Sequence, residues 1–116
     1  MTGRLNLTCR RGATFSAVLT WRDETGVLVN LTGYTAEMDV RVTPADTAAQ
    51  VITLTTGNTR IVLGGASATI TLTAAPADTA ALVAQTAWYD LVLTSPAGTV
   101  TTLFAGVFLI EERVTA

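Results

Sequence analysis

The feature that most constrains the fold is an alternation of apolar and polar residues in four separate runs. These runs are residues 4–10, 14–21, 35–42 and 67–73. A repeat of two residues is that of a β-strand with one buried face and one solvent-exposed face. The alternation therefore predicts four amphipathic strands spread over the first two thirds of the chain.

The last third of the chain predicts a β-hairpin. Residues 87–94 and 99–111 are rich in Val, Leu, Thr and aromatic residues, which suit strands. The sequence Ser-Pro-Ala-Gly at 95–98 favours a tight turn between them. Gly106, inside the second strand, predicts a bulge or a close backbone approach, with a register shift between Leu103 and Phe108. The alternation assigns three side chains of the first strand to the buried face: Tyr89, Leu91 and Leu93.

The remaining segments predict short connections and one helix. Residues 43–50 are expected to connect two strands, and residues 74–85, with Pro76 and Asp78 near their start, predict a helix of two or three turns. Three further hairpins are expected, which pair residues 14–21 with 27–29, 51–55 with 61–63, and 61–63 with 67–73. About eight short strands with frequent turns predict an all-β fold, an immunoglobulin-like antiparallel β-sandwich. One short helix precedes its C-terminal hairpin, and a single domain is expected to span residues 1–116.

The ionisable residues argue against several functions. The sequence has no His and no Lys, which removes the usual general base and the usual Schiff-base nucleophile, so no enzyme activity, cofactor or metal is expected. Glu37 and Asp39 share a strand face with Arg41, and a solvated row of charges is the simpler interpretation of them. The net charge of −2 comes without a basic stripe, so nucleic-acid binding is not expected.

The apolar content leaves two interpretations open. Hydrophobic residues make up 49% of the chain, and the mean hydropathy is +0.46. Either the domain has a surface of small residues and Thr, or it is a subunit that buries apolar surface against partners. No segment is expected to span a membrane, and the N-terminal sequence is unlike a signal peptide. Cys9 is predicted to be a small buried hydrophobic residue without a disulfide partner.

The order of several short motifs resembles that of small structural proteins of tailed bacteriophages. These motifs are Gly12-Ala13-Thr14-Phe15, Asn30-Leu31-Thr32-Gly33-Tyr34, Ile61-Val62-Leu63, Asp78-Thr79-Ala80-Ala81-Leu82, Trp88-Tyr89-Asp90-Leu91 and the terminal Val114-Thr115. The chain is similar along nearly its whole length to the N-terminal β-sandwich of upper baseplate proteins and to tail-tip domains. The resemblance implies a virion component of the tail, made in the host cytoplasm, that assembles with threefold or sixfold symmetry and has no catalytic residues.

The first hypothesis is therefore a structural component of a phage tail or baseplate. It would contact copies of itself, as a trimer or hexamer, and neighbouring tail proteins. Thr69, Thr71 and Thr73 are the candidate interface residues, because exposed sheet surfaces and edges pair readily. A second hypothesis is a tail-tip module that binds a host-surface glycan through Trp21 and Trp88, with a place in the core as the competing interpretation of both. A head decoration or neck protein is a third.

Overall fold

Nine strands and two short helices form in the described part of the chain. The computed structural model describes residues 3–43 and 50–112, so most of the predicted connection at 43–50, and the motif Val114-Thr115, lie outside the described residues. The strands are β1 (Gly3–Arg4), β2 (Leu7–Arg10), β3 (Phe15–Thr20), β4 (Thr35–Arg41), β5 (Gln50–Thr55), β6 (Ile61–Leu63), β7 (Thr69–Ala74), β8 (Gln85–Thr94) and β9 (Val100–Glu111). A 3₁₀ turn, Gly65–Ser67, precedes β7, and the helix α1 (Pro76–Ala80) precedes β8. None of the helices in these ranges has the length and apolar character needed to cross a bilayer.

The larger sheet is built around the C-terminal hairpin. Its order is β1-β9-β8-β4-β5, with β2 also paired to β9. The predicted hairpin of β8 and β9 is confirmed, and its turn is closed by a hydrogen bond of 2.9 Å from the Gly98 amide to the Ser95 carbonyl. The predicted inner face of β8 is also confirmed, since Tyr89, Leu91 and Leu93 are all buried.

The smaller sheet has the order β3-β7-β6, and both of its pairings are antiparallel. The predicted hairpin of β6 and β7 is confirmed. The predicted hairpin of β5 and β6 is wrong, because β5 pairs with β4 in the larger sheet. The turn at 56–60 instead carries the chain from one sheet to the other, so that Leu54 and Ile61 enter the core from opposite sides.

The predicted hairpin that follows β3 is reduced to a few contacts. β3 pairs with β7, and the return segment meets the chain only beyond the end of β3, where Leu28 forms an isolated bridge with Arg22. The Val29 amide also donates to the Trp21 carbonyl at 3.1 Å. The long pairing of β3 with β7 thus replaces the local hairpin.

The core lies between the two sheets. Phe15 of the smaller sheet and Phe108 of the larger sheet meet edge to face with 5.3 Å between ring centroids. Cys9 is 1% exposed and forms no disulfide, as predicted. Two sheets packed on one apolar core, with one short helix before the C-terminal hairpin, confirm the predicted all-β, immunoglobulin-like sandwich.

The helix is shorter than predicted. It ends at Ala80, after five residues, and a side chain from another part of the chain supplies donors to the carbonyl groups at this end. The guanidinium of Arg11 donates to the carbonyls of Ala80 and Leu82, which satisfies groups that a longer helix would have bonded internally. Thr79, fully buried, donates its hydroxyl to the Ala13 carbonyl at 2.8 Å and fixes the helix against the loop before β3.

The first predicted strand is split in two. β1 and β2 both run parallel to β9, the exception to an otherwise antiparallel pattern. At the break, the side-chain oxygen of Asn6 accepts a hydrogen bond from the Val107 amide, and the Leu5 carbonyl accepts one from the Tyr89 hydroxyl at 2.6 Å. The chain therefore stays attached to β9 and β8 where the regular ladder stops.

Candidate protein interface

The outer surface of the smaller sheet carries no charged side chain on its three strands. In the register of the sheet, Thr71 lies between Val18 of β3 and Val62 of β6. Val18 is 62% exposed and Val62 is 56% exposed. We call this surface the uncharged face, and its members are Ser16, Val18, Thr20, Val62, Thr69, Thr71 and Thr73.

The three threonines predicted as interface residues all lie on the uncharged face. Thr69, Thr71 and Thr73 alternate with fully buried Ile70 and Leu72, so their side chains point away from the core. Val18 and Val62 were not predicted as members of this surface. The alternation of β3 already excluded Val18 from the core side, but its position beside Thr71 follows only from strand pairing.

The outer face of the larger sheet is acidic. Glu37 and Asp39 of β4 lie near Asp90 of β8, which pairs directly with Asp39. Arg41 lies 3.5 Å from the Asp39 carboxylate, and the Thr53 hydroxyl donates to the same carboxylate. The three acidic side chains border a shallow groove of about 500 Å³ between β4, β5 and β8.

The crowding of these carboxyl groups changes their acidity. A hydrogen bond with Asp39, and then charge repulsion by Asp39, raise the pKa of Glu37. Burial raises the pKa of Asp90, the charge of Asp39 adds to the shift, and Arg41 opposes it. Within residues 3–43 and 50–112, no group of three or more acidic or Cys side chains is placed to hold a metal ion. The carboxyl groups along the groove form a row of surface charges that Arg41 partly balances.

The two tryptophans do not form one surface. Trp21 is half-buried, packs against the core, and meets Tyr34 edge to face with 6.1 Å between ring centroids. Trp88 is half-buried on the outer face of the larger sheet, where it pairs with Arg41 and Val107. The structure therefore does not bring the two candidate tryptophans together.

Replacing Asp90 with Asn is expected to raise the free energy of unfolding at pH 7. The folded protein raises the pKa of this carboxyl above its ordinary value of 3.8, so the ionised form is less stable in the folded state than in the unfolded chain. In the wild type this cost is present at neutral pH and disappears as the pH falls towards 3.8. Urea denaturation at a series of pH values should show a gain in stability for the variant at pH 7 and none below pH 3.8.

Asp23→Asn is the matched control with the opposite sign. Hydrogen bonds from the Thr25 hydroxyl and the Val27 amide lower the pKa of Asp23, so this carboxylate stabilises the fold at every pH above its ordinary pKa. Its replacement should lower stability at pH 7. Equal effects of the two substitutions would contradict the assigned electrostatics.

Comparisons with known proteins give structural likeness alone. No protein-family model and no curated protein matches the chain. One solved structure that it resembles is the extracellular domain of the voltage-gated sodium channel beta4 subunit, described as a parallel homodimer with a role in cell–cell adhesion. The two chains are 11% identical, with a TM-score of 0.41, and the match covers 98% of this chain and 96% of that one. Another is Drosophila OTK, extracellular domains 3–5, at 13% identity and a TM-score of 0.39, over 94% of this chain and 34% of that one. A third comes from work on the multimeric cell-adhesive interactions of sodium channel beta subunits, at 12% identity and a TM-score of 0.36, over 95% and 92% of the two chains.

These comparisons correct the resemblance to phage proteins. Two of the three similar structures are extracellular domains, the third belongs to a study of adhesive channel subunits, and none of the three is a phage protein. The predicted role in a phage tail or baseplate and the predicted virion location are therefore wrong. The phage-based alternatives, a tail-tip glycan module and a head decoration or neck protein, are withdrawn with them. The likeness concerns the fold, and what those proteins bind remains a property of those proteins.

Proposed function

We propose that this domain is a protein-interaction module that associates with a second copy of itself through the smaller sheet. The observation that carries the proposal is the uncharged face, where Val18 and Val62 are both more than half exposed on either side of Thr71. Protein interfaces are depleted of charged residues at their centre. Exposed apolar patches framed by polar residues mark interaction sites.

The charge distribution favours this sheet over the other. Two copies that met through the acidic face would bring Glu37, Asp39 and Asp90 close to their equivalents, and like charges in an interface cost several kcal/mol. The uncharged face imposes no such cost. The low share of charged residues in the chain, 14%, is in keeping with a surface that is partly covered by a partner.

The proposal assigns the domain no catalytic step. The sequence supplies neither His nor Lys, and its single thiol is buried, which raises the pKa of Cys9 and keeps it in the unreactive protonated form. Recognition through a surface is the activity that the remaining side chains support.

Replacing Val18 with Lys is expected to weaken self-association by about tenfold or more, because the substitution introduces like charges into the interface. The measurement is the molar mass of the purified domain by light scattering over a tenfold range of concentration. The wild type should shift from monomer towards dimer across this range. The variant should stay monomeric, with an unchanged circular dichroism spectrum.

Val100→Lys is the matched control. Val100 is 64% exposed and begins β9 in the larger sheet, so the same substitution there changes charge and apolar exposure equally but leaves the uncharged face intact. This variant should associate as the wild type does. A wild type that is monomeric at every concentration, or a dimer that both variants weaken equally, would overturn the proposal.

A further inference from the structure

We infer that two copies join edge to edge, by antiparallel pairing of β3 with β3 of the second copy. The two three-stranded sheets would then merge into one continuous sheet. This inference rests on the proposed self-association and specifies its geometry. It places Val18 at the contact and leaves Val62 exposed, whereas a packing in which two uncharged faces stack on each other would cover both.

One side of β3 has no partner strand among the described residues. β3 pairs with β7, and the Trp21 amide just beyond its end donates to the Ala68 carbonyl of the segment before β7. In an antiparallel ladder, residues bond alternately to one side and the other, so the odd-numbered residues of β3 face β7. The backbone N–H and C=O groups of Ser16, Val18 and Thr20 therefore point to the open side.

β3 also lacks the features that protect edge strands from pairing. Natural sheets protect their edges with charges, Pro, bulges or very short strands. β3 has the sequence Phe-Ser-Ala-Val-Leu-Thr, without a charge or Pro, and its register with β7 is regular over all six residues. β6, at the other edge of the same sheet, has three residues.

β5, at one edge of the larger sheet, provides a contrast. The outward carbonyl of Thr53 in β5 accepts hydrogen bonds from the side chains of Asn58 and Arg60, and the Thr55 amide donates to Asn58. The turn after β5 thus occupies the groups that a further strand would use. No comparable side-chain hydrogen bond to the outward groups of β3 is present in residues 3–43 and 50–112.

The apolar inner surface is also uncovered on this side. Ala17 and Leu19 of β3 are half-buried, whereas their cross-strand partners on β7, Leu72 and Ile70, are both 0% exposed. The core is therefore closed over β7 and open at β3. A neighbouring strand of the second copy would place its own Ala17 and Leu19 beside this gap and cover it.

The residue pattern specifies the register of the pairing. With Val18 on the twofold axis, Val18 faces Val18 of the second copy, and Ser16 faces Thr20. The Ser16–Thr20 pair occurs twice and the Val18 pair once, and each pair exchanges two backbone hydrogen bonds, which gives about six in all. On the outer face, Val meets Val and Ser meets Thr, so the strand is complementary to itself without any charged contact.

Cysteine crosslinking tests this register. In the proposed dimer the two Val18 Cα atoms lie about 5.5 Å apart, within the range of about 4.4–6.8 Å that a disulfide spans. Val18→Cys should therefore form a covalent dimer under mild oxidation, at least about tenfold faster than the control variants. Ser16→Cys is the register control, because the two copies of residue 16 would be offset by four residues, about 13 Å along the strands. Val62→Cys is the face control, and the wild type with its buried Cys9 reports the background.

Each outcome separates this inference from the proposed function. Selective crosslinking of Val18→Cys supports edge pairing, as does a matched double variant, Ser16→Cys with Thr20→Cys, that also crosslinks. Fastest crosslinking at Val62, or equal rates at all positions, in a protein whose wild type dimerises by light scattering would overturn edge pairing and leave the proposed self-association standing. A wild type that is monomeric at every concentration would overturn both.

Discussion

Replacing Phe108 with Ala is expected to lower the free energy of unfolding by about 3–5 kcal/mol. Phe108 is 1% exposed and its ring meets Phe15 edge to face across the two sheets, so the substitution removes both buried apolar area and an aromatic contact. Domains of this size have a free energy of unfolding of about 5–15 kcal/mol. Denaturation by guanidinium chloride, followed by circular dichroism, should show a large decrease in the midpoint.

Phe104→Ala is the control on the same strand. Phe104 is half-buried at the margin of the core. Its truncation should cost about 1–2 kcal/mol, because Phe104 buries less apolar area than Phe108 in the folded wild type. Similar losses for the two variants would mean that the contact between Phe108 and Phe15 does not join the sheets as described. A loss at Phe108 at least twice that at Phe104 is the expected result.

Alternation in the sequence was enough to predict which face of most strands is buried. It assigned Leu7 and Cys9, and the residues of β8, to the core side, because side chains of a strand alternate regardless of what the strand pairs with. The hairpin of β8 and β9 was also predictable from the sequence, because its turn residues lie directly between the two strands. These predictions depend on neighbours within a few positions along the chain.

Partner strands were predictable only where the turn was tight. β5 and β6 are separated by one turn, yet they belong to different sheets, because Leu54 and Ile61 fill the core from opposite sides and the side chains of Asn58 and Arg60 hold the turn against β5. The parallel pairing of β2 with β9 joins residues about 100 positions apart. Alternation contains no information about such distant partners.

The candidate interface shows the same division. The outward direction of Thr69, Thr71 and Thr73 follows from alternation in β7, but Val18 and Val62 join them only through the register of the smaller sheet. The unprotected edge of β3 likewise depends on strand order. The resemblance to phage proteins failed because it rested on the order of short motifs, none of which is tied to a chemical site.

Replacing Gly106 with Ala is expected to lower the free energy of unfolding by about 2–3 kcal/mol. A Cβ atom at this position would clash with the carbonyl group of Leu5 and would lie 3.1 Å from the side-chain oxygen of Asn6. Both atoms belong to the break between β1 and β2, where the backbone crosses closely over β9. The predicted close backbone approach at Gly106 is thus confirmed, while the register irregularity lies at Leu103, which has no partner in β8.

Thermal or urea denaturation would measure the loss of stability in Gly106→Ala. Gly57→Ala is the control, because a Cβ there meets only the Thr55 hydroxyl, at 3.6 Å, and its effect should stay within about 0.5 kcal/mol.

A double-mutant cycle that combines Gly106→Ala with Tyr89→Phe would show which group moves to relieve the clash at position 106. Burial raises the pKa of Tyr89 to about 12, so its hydroxyl stays protonated and donates to the Leu5 carbonyl. Removal of this bond alone should cost about 1 kcal/mol. If Ala at position 106 displaces the Leu5 carbonyl, the bond is already lost, and Tyr89→Phe should cost little more in that background, because the two changes act on one group. Additive losses would show instead that the clash is relieved elsewhere, by movement of β9 away from the break, with the hydrogen bond from Tyr89 to Leu5 intact.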